Sequence, residues 1–175
     1  MKISSHKITT MGLLIALSII LTRIASLRIA IGGVEGIRIG FGGLPIILGG
    51  IIFGPLNGGI IGAFSDLLGY FINPMGAYMP CFTLTSALTG IIPAAILSLK
   101  KKDKPNPFGL GVSIATGQII TSVILVPYFL HILFDLPLKV IMPGFILGGV
   151  INIFLYTLMI SLILKRYYSI FSSNS

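Results

Sequence analysis

Apolar residues run along this chain in six stretches separated by short polar or Gly/Pro-rich clusters. The stretches 9–25, 39–53, 58–72, 83–99, 108–130 and 141–164 predict helices that cross a membrane, because a run this apolar satisfies its backbone in lipid only as a helix. The second and third stretches, at about 15 residues, fall short of the roughly 20 that a straight span needs. They are joined by a Gly-Pro turn, FGPLNGG at 53–59. The segment 26–38, SLRIAIGGVEGIR, is too polar and glycine-rich to cross lipid and predicts a structured loop. Residues 73–82 form a Pro/Gly connector, KKKDKPNP at 100–107 a solvent loop, and HILFDLPLK at 131–139 another turn.

Composition makes the class plain. Of 175 residues, 55% are hydrophobic and 9% charged, against about 25% charged in a soluble domain. Mean hydropathy is +1.05. The expectation is an all-α integral membrane protein of six transmembrane helices, in one domain spanning 1–175, with no room for a soluble catalytic unit. The net charge of +8 is read as the basic flanks of membrane spans, with no nucleic-acid partner. Cys81 is the only cysteine, so neither a disulfide framework nor a thiolate metal cluster is expected. The first stretch lacks a small-residue cleavage site and leads into a polytopic pattern, so it reads as a retained span.

The basic residues also set an orientation. With six spans, Lys2, Lys7, Lys100, Lys101, Lys102, Lys104, Lys165 and Arg166 share one side with a single acid, Asp103. Arg23, Arg28, Arg38 and Lys139 lie on the other, with Glu35 and Asp135. The positive-inside rule therefore places both termini in the cytoplasm of a multi-pass cell-membrane protein.

Polar residues within the spans carry the candidate chemistry. Asp66 is an acid amid apolar sequence, and an ionised acid in a span is costly enough to mark function or an ion pair with Arg23 or Arg38. Asp66, Tyr70 and Asn73 fall on one helix stripe, as do Asn152 and Tyr156. With Tyr78, Phe82 and Thr83, these would line a pocket with basic residues at its rim, suited to an anionic molecule carrying a flat polar ring. Plainer readings stand beside this one. Arg28 and Lys139 also suit loop anchoring at headgroup level, Tyr70 and Tyr78 an aromatic belt, and Thr83, Thr85 and Ser86 helix caps or interhelical hydrogen bonds, while Gln118 and Asn152 stand open between ligand contact and helix packing. Gly12 and Ala16 form a small-xxx-small pair on the first helix, the spacing for close helix contact. No enzyme constellation emerges. His6 and His131 fall on opposite sides of the membrane, no residues have metal-ligand spacing, no nucleotide-binding loop is present, and no cofactor is implied.

At RIGFGGLPIILGGIIF (38–53), the following GP, IIGAFSDLLGYFINPMGAY and FTLTSALTGIIP, the sequence resembles the folate-specific S components of energy-coupling factor (ECF) transporters. The resemblance is strongest over 36–93. It implies a six-helix substrate-binding subunit that captures folate or a related vitamin outside the cell. Such a subunit works with a membrane coupling subunit and two cytoplasmic ATPases. Family members contact the coupling subunit through small residues of the first helix, here Gly12 and Ala16, with glycine in place of the usual first alanine. For folate, Arg23 and Arg38 are candidates for the glutamate carboxylates. Asp66 and Asn152 are candidates for the pteridine edge, and Tyr70, Tyr78, Phe82 and Thr83 for the surrounding wall. The start of the sixth span, MPGFILGG, lacks the polar residue expected there. The alternatives are an S component for another vitamin such as pantothenate, and a membrane assembly protein in which Asp66 and the arginines only bridge helices.

Overall fold

The structure, a computed structural model, describes residues 5–23, 26–31, 34–72, 74, 77–99 and 106–172; for 26–31, 34–39 and 167–172 it describes the backbone alone. Six helical rods run up and down. They are α1 (Ser5–Arg23), α2 (Gly43–Phe53), α3 (Pro55–Ile72), α4 (Pro80–Leu99), α5 (Pro107–Phe134) and α6 (Leu138–Ser172). Between α1 and α2 lies an antiparallel hairpin, β1 (Ser26–Ile31) and β2 (Val34–Gly40). By length and composition α1, α4, α5 and α6 each suffice to cross a membrane.

The expected six-helix bundle is present, with several corrections at its joints. The segment read as a loop pairs with itself as the hairpin, which satisfies its backbone groups without a helix. Its register sets Arg28 opposite Arg38. The second helix begins at Gly43, because Ile39 and Gly40 belong to β2. The third begins three residues earlier than expected and remains under the roughly 20 of a straight span. Pro55 starts it, and proline suits a first helical position since the missing N–H has no intrahelical partner anyway, so α3 has 18 residues. The first helix closes on Arg23, its last basic residue.

At 11 residues, α2 is roughly 16 Å long, about half the hydrocarbon thickness. Gly54 ends it at φ 96°, ψ 164°, a region open essentially to glycine, with its N–H on the Gly50 carbonyl at 2.9 Å. Leu44 through Gly50 are all buried, so α2 is enclosed by the other helices. In lipid an apolar side chain gains little by moving from tail to protein, and helices associate through close packing and hydrogen bonds instead. The α2–α3–α4 contact follows that rule. A Cβ on Gly58 would lie 2.6 Å from Gly50 Cα and 2.8 Å from the Gly90 carbonyl oxygen, and one on Gly90 would collide with the Gly58 carbonyl.

Two apolar clusters flank the middle of the bundle. Leu44, Ile47, Leu48, Leu110, Ile114, Tyr156, Ile160 and Leu164 pack in the half away from the hairpin. Leu130, Ile141 and Phe145 pack at the hairpin end, against Phe82 and Val126. Helix α5 passes between them through a π-helical segment, Ile119–Leu125, just before Pro127.

Candidate functional site

Between the two clusters lies a cavity enclosing about 830 Å³ of empty space, its open mouth included. Every helix contributes. Thr22 comes from α1, and Gly43 and Ile46 from α2; Asp66 comes from α3, while Phe82, Thr85, Ser86 and Thr89 come from α4. Gln118, Thr121 and Ser122 enter from α5, and Phe145, Asn152 and Tyr156 from α6. The short α2 makes this possible, because its first residues stop at the cavity wall.

The polar groups divide into those spent on the bundle and those left open. Thr85 donates to the Phe82 carbonyl at 2.8 Å, and Thr121 to the Gly117 carbonyl at 2.8 Å. Thr89 donates to the Thr85 carbonyl at 2.9 Å and lies 3.2 Å from the Thr121 hydroxyl. Asn152 Oδ1 accepts from the Gly40 N–H at 3.2 Å, and the Tyr156 hydroxyl donates to the Gly40 carbonyl at 2.8 Å. These two α6 side chains therefore clamp the end of β2 against the cavity. Tyr156 also accepts from the Gly43 N–H at 3.3 Å. Ser18 on α1 donates to the Gly42 carbonyl at 2.8 Å, which fixes the same junction from the other side.

Asp66 stands differently. Thr83 donates to its Oδ2 at 2.8 Å, and Tyr78 bonds Thr83 at 2.9 Å. Since Thr83 has one proton and gives it to the carboxylate, Tyr78 is the donor in the second bond. The chain Tyr78 to Thr83 to Asp66 orients the acid. Among the described residues nothing donates to Oδ1, which leaves a strong acceptor on the cavity wall.

Of the residues expected at the site, Asp66, Phe82 and Asn152 line the cavity directly, and Thr83 and Tyr78 reach it through Asp66. Tyr70 packs its ring 5.2 Å from that of Tyr78, behind the acid. Arg23 lies against α3, where a Cβ on Gly69 would sit 3.2 Å from its Nη2. Among the described residues, the hydrogen-bond partner of Asp66 is the Thr83 hydroxyl. The side chain of Arg38, and all of Asn73, lie outside the described residues. The expected partner-facing pair, Gly12 and Ala16, sits on the exposed face of α1, with nothing within 4 Å of a Cβ on Gly12. Sequence reasoning left Gln118 open between ligand contact and helix packing and did not single out Ser122; both line the cavity. Gln118 directly precedes the π-helical segment and Thr121 and Ser122 lie within it, and such segments often mark functional sites.

A family model described as the ECF-type riboflavin transporter S component matches residues 2–169. The chain belongs to this family of ECF-type S components. It is therefore a multi-pass membrane protein of a transport family, not of an enzyme family. Among relatives, this S component is 39% identical over 131 residues to the folate transporter FolT of Clostridium novyi (strain NT), across 75% of this chain and 72% of that protein. Its fold superposes on a crystal structure of FolT bound with folic acid, with a TM-score of 0.80 at 23% identity over 94% and 96% of the two chains. A second structure, of the S component of a bacterial ECF transporter, matches with a TM-score of 0.64 at 20% identity over 95% and 97%.

Proposed function

We propose that this S component binds folate from outside the cell and delivers it to the energising module of an ECF transporter. The 39% identity to a folate transporter is the observation that carries the ligand. The cavity supports it chemically. The Asp66 carboxylate suits the N–H groups of the pteridine edge, Phe82 suits the ring face, and Arg23 and Arg38 suit the two glutamate carboxylates. Thr83 and Tyr78 hold Asp66, Tyr70 backs Tyr78, and Asn152 shapes the wall through its hold on Gly40.

In this reading the chain is one domain over 1–175, with both termini cytoplasmic and the hairpin outside. The module comprises a membrane coupling subunit and two ATPases. The coupling subunit docks on the outer face of α1 at Gly12 and Ala16, where small residues allow close approach.

The family description names riboflavin, which makes that vitamin the competing ligand. Riboflavin also presents a flat heterocycle with a hydrogen-bonding edge, but its tail is a neutral polyol. The proposed arginine contacts, Arg23 and Arg38, separate the two, since only folic acid brings carboxylates to them. Replacing Arg38 with Ala should weaken folic acid at least about tenfold while leaving a pterin fragment without glutamate nearly unchanged, as expected for loss of a charge-assisted bond. Calorimetry on the purified variant measures both affinities. Equal losses for the two would remove Arg38 from the glutamate site.

A further inference from the structure

Gln118 is 3% exposed and lines the cavity from the residue just before the π-helical segment of α5. Ser122, four residues on, donates to its Oε1 at 3.0 Å. Among the described residues its amide nitrogen makes no hydrogen bond, yet it is not an enclosed, orphaned atom; it is open to the cavity. A buried primary amide with two unspent N–H donors is costly unless something in the cavity accepts from it. Asp66 and Gln118 stand on either side of α4, whose Thr85 and Thr89 hydroxyls are committed to the bundle. The cavity thus offers an acceptor from α3 and a donor from α5.

We propose that Gln118 is a specificity-determining residue whose amide N–H reads the ring carbonyl of the bound heterocycle. This rests on the folate reading. The pyrimidinone of folic acid presents N–H groups beside its 4-carbonyl. Asp66 accepts from the N–H groups, and Gln118 donates to the carbonyl. Ser122 is a positioning residue, because its bond to Oε1 turns the amide nitrogen toward the ligand.

The 4-amino analogue of folic acid, aminopterin, replaces that carbonyl with an amino group and so turns the acceptor into a donor. Calorimetry with folic acid and aminopterin on the wild type and three variants tests the assignment, with thermal melting as the folding control. The wild type should prefer folic acid. Gln118→Glu, which presents only acceptors, should shift the ratio of affinities toward aminopterin by roughly 10–100-fold. Gln118→Met, which removes the donor without adding an acceptor, should shift the ratio the same way by a smaller factor, and Ser122→Ala by less again. Because every protein in the series carries Asp66, the change in the ratio from the wild type cancels that residue's own response to the analogue. If folded Gln118→Glu and Gln118→Met lower both affinities equally and leave the ratio where the wild type has it, the assignment is overturned and folate stands. If folded wild type binds neither compound, the folate reading fails and this assignment fails with it.

Discussion

Asp66 divides its carboxylate between Thr83 on one oxygen and the cavity on the other, so the Thr83 bond leaves the second oxygen open toward the cavity. Asp66→Asn keeps the shape and the Thr83 contact but removes the charge. It should weaken folic acid by roughly 10–100-fold with little change in melting temperature, as for loss of a charge-assisted bond in an enclosed site. Tyr78→Phe should cost no more than about fivefold, because Thr83 still donates to the acid when its own donor is gone. Both affinities are read by titration calorimetry. The acid itself was legible in the sequence, since a carboxylate in a span is too costly to lack a reason. Its partner was not. Thr83 lies 17 residues away on another helix, and no spacing rule ties them, whereas an arginine was the obvious counter-charge. Asn152 was legible as a cavity residue, but its grip on the Gly40 N–H depends on a strand that the pattern did not suggest.

At the scale of elements, the glycines separate packing from exposure. Gly90→Val should prevent folding, because even a Cβ there meets the Gly58 carbonyl, backbone against backbone. Gly12→Leu should leave the melting temperature of the isolated protein within a degree or two, since open space surrounds that position. Gly54→Ala should cost about 1–3 kcal/mol, the strain of a side chain at that φ and ψ. Thermal melting in detergent ranks the three. The helices were legible because apolar runs of this length leave the backbone no other choice in lipid. The hairpin was not, although the alternation in LRIAI and GIRI around Gly32-Gly33 carries the period of two expected of paired strands. The eye reads a polar stretch between spans as loop. The π-helical segment is hidden more deeply. It inserts within an unbroken apolar run, and the sequence offers only Pro127 beyond it, whose missing N–H loosens the helix upstream.

For the whole molecule, the bundle encloses its polar groups and turns apolar side chains outward, with Leu13, Leu17 and Ile20 exposed on α1. The inner face of that helix is tied down by Ser18 and Thr22, leaving Gly12 and Ala16 on the free side. In the proposed reading, docking there and binding in the cavity use separate surfaces. Gly12→Leu with Ala16→Leu should therefore abolish co-purification with the energising module while leaving folic acid affinity of the isolated S component within about twofold, a separation expected of distant independent sites. The family was legible over the α2–α4 region, because the glycines and the lone acid that build its packing and cavity are there. The choice between vitamins rests on a few side chains at the rim and cavity wall. Calorimetric titration of the purified S component alone, with folic acid and riboflavin in parallel, tests that choice most directly. Saturable one-to-one binding of folic acid, at least about a hundredfold tighter than riboflavin, is the predicted result. Tight riboflavin binding by folded protein that ignores folic acid would contradict it.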